Sequence, residues 1–291
     1  MLALVGIFVV LVSVIGGFLL AGGAIPVLFQ PAEFLVIGGA ALGALLVGTP
    51  PSVLRNLITQ LPRLIRGGRS ERDYLDILLV GFELLTIARR EGLVALEKHI
   101  EDPLQSPLFS KYPSLIRDRR ALTFVTDTLE LLTSGMKLGD HELGELLEAD
   151  LHVRKEEESR PSRALLTLAD ALPGLGIVAA VLGIVVTMGH IDGPPAEIGR
   201  HVGAALVGTF LGVLLSYGVA QPMGHNLAAK VEEDQVYLQV LRELMLSLHK
   251  GANPAAAVEL ARRSLPVEVR PTSAALSEAC RALKQGASAG G

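Results

Sequence analysis

Four long stretches of this chain carry no formal charge, and no other feature restricts its folding as much. No Asp, Glu, Lys or Arg occurs between Met1 and Ala32, Phe34 and Leu54, Ala171 and Ile191, or His201 and Ala229, windows of 32, 21, 21 and 29 residues. A bilayer core of about 30 Å is crossed by about 20 apolar residues at a rise of about 1.5 Å each. Every window is long enough, so a wholly water-soluble fold is excluded.

The charges that remain set the expected topology. Of the 26 Lys and Arg residues, 17 lie between Arg55 and Arg163, eight follow Pro222, and only Arg200 falls in a connection between windows. Basic residues close to spans stay on the cytoplasmic side. Arg55, Arg63, Arg66 and Arg69 follow the second window closely, so both charged segments are expected to be cytoplasmic. Four spans then place the N-terminus inside as well, with two short loops outside.

Composition narrows the function classes. A net charge of −4 does not support a binder of nucleic acid resting on a basic field. A single cysteine, Cys280, makes no internal disulfide. With no Trp, the aromatic belt at the membrane surface is expected to be thin, with Phe29, Phe34 and Tyr217 as its members.

Along the chain, the first window lacks the positive start of a signal peptide and reads instead as a first span. Gly22, Gly23, Pro26 and Pro31 mark a reversal into a second span over about 34–47, stopped by Pro50 and Pro51. From Arg55 to about Leu165 apolar residues recur at three and four, as in Leu93, Leu96 and Ile100 or Leu143, Leu146 and Leu147, which predicts helices and no strands. The charge run Lys155 to Arg160 reads as the solvated start of the next long helix. A loop from Asp192 to Arg200 separates the third and fourth spans, and Gln285 to Gly291 is expected to be unordered. The predicted fold is an all-α membrane protein with four transmembrane helices in two hairpins, 1–54 and 166–224. A helical cytoplasmic domain, 55–165, is inserted between them, and a helical cytoplasmic tail, 225–291, follows.

Small residues dominate the spans, as close approach of helices in lipid requires. Gly38, Gly39, Ala40, Ala41, Gly43 and Ala44 crowd the second; Gly176, Ala179, Ala180 and Gly183 share one side of the third; Gly199 with Gly203 and Gly208 with Gly212 are paired on the fourth. These faces pack either within one bundle or against other chains. No ionisable group stands at mid-depth in a window, leaving Thr187, Thr209, Ser216 and Tyr217 as polar groups. A titrating carboxylate is therefore expected from another polypeptide. The Thr209 hydroxyl is placed to bond a carbonyl one turn back. Pro173 and Pro222 stand at matching ends of the third and fourth spans, as helix stops or as joints. Arg89, Arg90, Glu97 and Lys98 flank Gly92 on a helical stretch and point away from its apolar side, as a solvated face or a charged docking surface. Gly174, Gly176 and Ala179 match a dinucleotide fingerprint by accident, because no strand precedes them. The seven histidines show no metal-ligand spacing, and no nucleophile, base and oxyanion arrangement suggests an enzyme. No metal or cofactor is expected.

Several of these stretches together resemble one family. Residues 173–183, Pro-Gly-Leu-Gly-Ile-Val-Ala-Ala-Val-Leu-Gly, and 207–212, Val-Gly-Thr-Phe-Leu-Gly, followed by Leu215-Ser-Tyr-Gly218 and Pro222, resemble the third and fourth membrane segments of MotA, the flagellar motor stator subunit. Gln30-Pro-Ala-Glu-Phe34 with Gly38-Gly-Ala-Ala41 resembles its second segment, and Arg89 through Glu97 to Pro103 its rotor-facing cytoplasmic helix. The resemblance implies an inner-membrane ring, taken to be five copies, around a MotB-like partner with a single membrane helix, an ion-binding aspartate and a peptidoglycan-binding domain. It implies a push on the rotor protein FliG. By that correspondence Thr209 and Ala180 line the ion path, Pro173 and Pro222 transmit torque, and Arg89, Arg90 and Glu97 meet the rotor. Ala180, where sodium-driven relatives tend to carry threonine, favours protons. An ExbB- or TolQ-like energiser of outer-membrane transport and a non-conducting membrane scaffold are the alternatives.

Overall fold

A computed structural model describes residues 2–65 and 67–289, and everything regular among them is helical. The first helices are α1 Leu2–Leu20, the single turn α2 Ile25–Leu28, α3 Pro31–Gly48 and α4 Pro51–Gln60. Then come α5 Glu71–Glu91, the short α6 Glu97–Ile100 and α7 Pro113–Arg117, and α8 Arg119–Thr133. The long helices α9 Asp140–Met188, α10 Pro195–Leu215 and α11 Gln221–His249 are followed by α12 Pro254–Arg263 and α13 Ser273–Ala289. Four helical segments, in α1, α2–α3, α9 and α10–α11, are long and apolar enough to cross a membrane.

Local chemistry explains the boundaries. Gly22 takes a φ of 81°, a conformation cheap only for glycine, and ends the turn after α1. Pro31 and Pro51 open α3 and α4, where a missing N–H costs nothing and the fixed φ already suits the helix. Ser70 and Asp73 form a reciprocal capping box at the start of α5: Ser70 N–H donates to Asp73 at 2.7 Å and Asp73 N–H donates to Ser70 Oγ at 3.4 Å.

Four expectations about elements are corrected. The charge run Lys155 to Arg160 lies inside α9, which already starts at Asp140; apart from Gly144 the residues between Asp140 and Arg160 carry no proline or glycine, so the helix has no reason to stop. The third connection closes at Pro194, and residues 195–200 form the first turns of α10, because Pro195 serves as a helix start. The stretch from Arg89 to Glu97 is not one helix. Gly92, at φ 86°, ends α5, a 3-10 turn covers Leu93–Leu96, and α6 begins at Glu97. At the end, α13 reaches Ala289 and so covers most of the stretch expected to be unordered; residues 290 and 291 lie outside those described.

The chain divides into two compact units. Unit 2, 68–155 with 232–291, has a closed core in which Tyr74, Leu84, Phe109, Phe124, Leu143 and Tyr237 are buried. Its polar centre is an ion network. Arg69 donates to Asp118 at 2.5 Å and to Asp234 at 2.8 Å, and Arg120 donates to Asp234 at 3.0 Å. The Arg69 guanidinium also lies 3.7 Å from the centre of the Tyr237 ring. Burial pushes the Asp118 carboxyl up, but the hydrogen bond and charge of Arg69 outweigh it and hold the group below the ordinary carboxylate range.

Unit 1, 1–67 with 156–231, is built differently. Its small core joins Ile37 and Ala41 of α3, Leu172 and Ala179 of α9, and Val207 and Leu211 of α10. Around it the surface is greasy: α1 has no buried residue, and Val181, Val185 and Leu206 are exposed. An apolar exterior of this extent belongs in lipid or against other apolar chains.

Candidate functional site

The functional geometry of unit 1 starts from a seam of small residues between α9 and α10. A Cβ added to Gly176 would lie 2.7 Å from the Gly208 carbonyl oxygen, and one on Gly212 would lie 2.6 Å from the Leu172 carbonyl oxygen. On Gly183 it would meet the Ala205 Cβ at 2.7 Å. Backbones this close tolerate no larger side chain, which is how helices associate where water does not drive them together. Several other glycines of the spans behave oppositely. Gly38, Gly39 and Gly43 on α3, and Gly199 and Gly203 on α10, have nothing within 4 Å of a built Cβ. The two readings of the small residues thus divide by position, one set closing the bundle and the other leaving smooth open faces.

Ala180 and Gly208, the neighbour of Thr209, meet at this seam. A Cβ on Gly208, the residue before Thr209, would lie 3.1 Å from the Ala180 backbone nitrogen. Thr209 is half-buried, and among the described residues its hydroxyl does not make the expected bond to the carbonyl one turn back. That role belongs to other residues: Thr187 Oγ1 donates to the Gly183 carbonyl at 2.8 Å, and Ser216 Oγ donates across the helices to the Ala169 carbonyl at 2.6 Å. Among the described residues the Thr209 hydroxyl has no hydrogen-bond partner.

Both prolines sit inside helical runs and stop neither. Pro173 is half-buried within α9, which continues unbroken to Met188. Pro222 is exposed in the first turn of α11, directly after a widened π turn over Ser216–Ala220 in which Gln221 N–H donates to the Ser216 carbonyl. Proline offers no N–H to the preceding turn, and the local widening follows from that missing donor.

In unit 2, Arg89 and Arg90 occupy the exposed last turn of α5, and Glu97 and Lys98 stand exposed at the start of α6. Gly92 separates the two pairs. Beneath α6, His99 is buried, with its Nδ1 2.9 Å from Ser106 Oγ and its ring packed edge-on to Phe109. Burial first, and then the charge of Lys98, lower the His99 pKa, so the ring is held neutral.

Glu33 is the residue that sequence reasoning passes over. It falls between two uncharged windows, so a scan of the windows never meets it; the signal available was that it is the one charged residue among the first 54. The fold carries it into the seam. It is 8% exposed, its Oε2 has no hydrogen-bond partner among the described residues, and Oε2 lies 2.5 Å from where a Cβ on Gly208 would stand.

Comparison with known proteins decides the family. A profile described as "Motility protein A N-terminal" matches residues 4–92, and one described as "MotA/TolQ/ExbB proton channel family" matches residues 123–239. The chain is 39% identical over 268 residues to the chemotaxis protein LafT of Vibrio parahaemolyticus, covering 92% of this chain and 94% of that one. It is 37% identical to motility protein A of Escherichia coli, covering 98% and 96%. This chain belongs to the motility protein A family. Two solved structures share its fold: C. jejuni MotAB, with a TM-score of 0.76 and 20% identity over 91% of this chain and 96% of that one, and the flagellar MotAB stator complex from Bacillus subtilis, with a TM-score of 0.75 and 23% identity over 92% and 97%. The four apolar helices and the family place this chain in the membrane.

Proposed function

We propose that this chain is the ring-forming subunit of a flagellar stator and that, with a MotB-like partner, it converts inward proton flow into torque on the rotor. One observation carries the reading: the tight α9–α10 seam brings Gly208 against Ala180 next to a half-buried Thr209 whose hydroxyl has no partner among the described residues, while the glycines of α3 and the start of α10 stay open. The closed set holds the helices of one chain together. The open set offers smooth faces to neighbouring copies and to the partner helix.

In this mechanism the partner's aspartate binds and releases the proton next to Thr209, whose hydroxyl orients it. Ala180 leaves the path without the extra hydroxyl a desolvated sodium ion needs, which favours protons. Pro173 and Pro222 lie on α9 and α11, the helices that contribute to both units, and they suit a role in passing a change at the seam to the cytoplasmic side. Moving one charge through 100 mV is worth about 2.3 kcal/mol, enough to bias conformations a few kcal/mol apart. Arg89, Arg90 and Glu97, exposed and without ion pairs among the described residues, are the proposed contact with FliG. The topology that goes with this reading has membrane hairpins at 1–54 and 166–224, segments 55–165 and 225–291 and both termini in the cytoplasm, and about five copies in lipid. The work is mechanical, with no covalent chemistry. A profile for the N-terminal part of motility protein A matches residues 4–92, which favours a motor over an ExbB- or TolQ-like energiser.

The test is reconstitution in vesicles under an imposed potential. The chain with its single-span partner should pass protons, the chain alone should not, and Thr209→Val should slow flux without loss of the assembly. Flux through the purified chain without a partner overturns the division of labour.

A further inference from the structure

We propose that Glu33 is a proton-exchanging carboxyl of this chain, a relay that accepts a proton from the outer aqueous side and hands it on toward the partner's carboxylate. The inference rests on the stator reading above and adds a second acid to it, this time from the ring. It begins with placement. Glu33 is the third residue of α3, where an acidic side chain ordinarily folds back to cap its own helix. Here it turns away, across to α9 and α10. A Cβ on Gly183 would be 3.3 Å from its Oε1, and one on Gly208 would be 2.5 Å from its Oε2. Gly183 is five residues from the end of α9, about 7 Å along the helix, so the carboxyl stands near the α9–α10 connection.

Three features separate this from a structural carboxyl. The group is more than nine-tenths buried, yet its Oε2 has no hydrogen-bond partner among the described residues. A buried polar atom left unpaired is costly and is kept where it has work to do. It stands against Gly183 and Gly208, whose missing side chains make the space it occupies, and these glycines in turn lie next to Ala205, Ala179 and Ala180. And Gly208, against which Oε2 stands, directly precedes Thr209 in α10, so the carboxyl reaches α10 one residue from the proposed ion path.

The step balances as a simple proton transfer. An O–H bond forms at Oε2 as a hydronium ion gives up a proton and becomes water. The same bond breaks when the partner's carboxylate takes the proton, the electron pair staying on Oε2. Glu33→Gln keeps size and shape and cannot make the transfer.

The complex of this chain with its single-span partner, reconstituted in vesicles, supplies the test. Glu33→Gln should assemble normally and conduct about 100-fold less, the lower end of what a positioned proton-transfer group contributes, and Glu33→Asp should recover part of the flux. Conduction by Glu33→Gln at the wild-type rate overturns the relay. Infrared difference spectroscopy decides independently of assembly. With the partner's aspartate replaced by asparagine, a protonated-carboxyl band from the Glu33 chain should remain and shift when water is exchanged for heavy water, and Gly208→Ala, which crowds Oε2, should move it. Absence of that band overturns the proposal. If the wild-type complex fails to conduct while the band is present, the stator reading falls and the exchange at Glu33 stands.

Discussion

Helix α5 in unit 2 buries Tyr74, Ile77, Leu78, Val80, Phe82, Leu84 and Leu85, whereas α1 in unit 1, nearly as long and far more apolar, buries nothing. The difference teaches what surrounds each unit. In water, apolar area is hidden and charge is kept outside or paired, so unit 2 has a core of large side chains and an internal Arg–Asp network. In lipid, hiding apolar area gains nothing, so unit 1 relies on backbone approach at glycine and on single hydroxyl bonds such as Ser216 to Ala169. Stability in one unit comes from bulk, and in the other from its absence.

The contrast is most exposed at Asp234. Replacing it with alanine leaves Arg69 facing a single carboxylate; because Arg120 is 41% exposed, the cost should be near the lower end of that for breaking a buried pair, about 3 kcal/mol. Thermal unfolding of the full chain should register it, and a shift worth less than about 1 kcal/mol would mean that the network is ornamental. Next in size, Gly176→Val should force the seam apart at a cost of about 1–3 kcal/mol and deplete the protein from membranes. Gly39→Val, on an open face, should leave the chain inserted and reduce the number of copies per complex. Equal effects of the two valines on insertion would erase the distinction between closed and open faces.

Smaller effects sharpen the picture within each unit. His99 has a folded pKa below its ordinary value of about 6.5. Its contribution to stability is therefore complete above that pH and is lost as pH falls below it, by at most about 1.4 kcal/mol per pH unit for one proton. Melting temperature against pH should bend there in the wild type and less in His99→Gln. Ser216→Ala should cost about 1 kcal/mol in denaturation of the membrane unit. Arg89→Glu should change stability by less than about 0.5 kcal/mol, since the side chain is exposed and unpaired among the described residues, while reducing torque in a tethered-cell assay.

Much of the fold was legible because hydropathy acts locally. Each of the four windows overlaps a helix able to span a membrane, whereas Pro195, read as part of a loop, starts a helix. The candidate site was legible only in part. The closeness of Ala180 to Gly208 could be inferred from resemblance, but the idle hydroxyl of Thr209 could not, because any threonine in a helix has the option of bonding its own backbone. Arg69 read as a topology marker beside the second span. It is in fact half-buried and paired with Asp118 and Asp234, partners 49 and 165 residues away, and no local pattern announces such a pairing.

Sequence alone determined that this protein has four segments fit to cross a membrane and that the rest of it is helical, since each follows from counting apolar and charged residues along a helix of known rise. Tertiary structure decided which glycines close the bundle and which stay open. It also decided that Glu33, near the start of its own helix, ends among glycines far along the chain. Those outcomes depend on distances between helices, and a one-dimensional pattern carries no such distances.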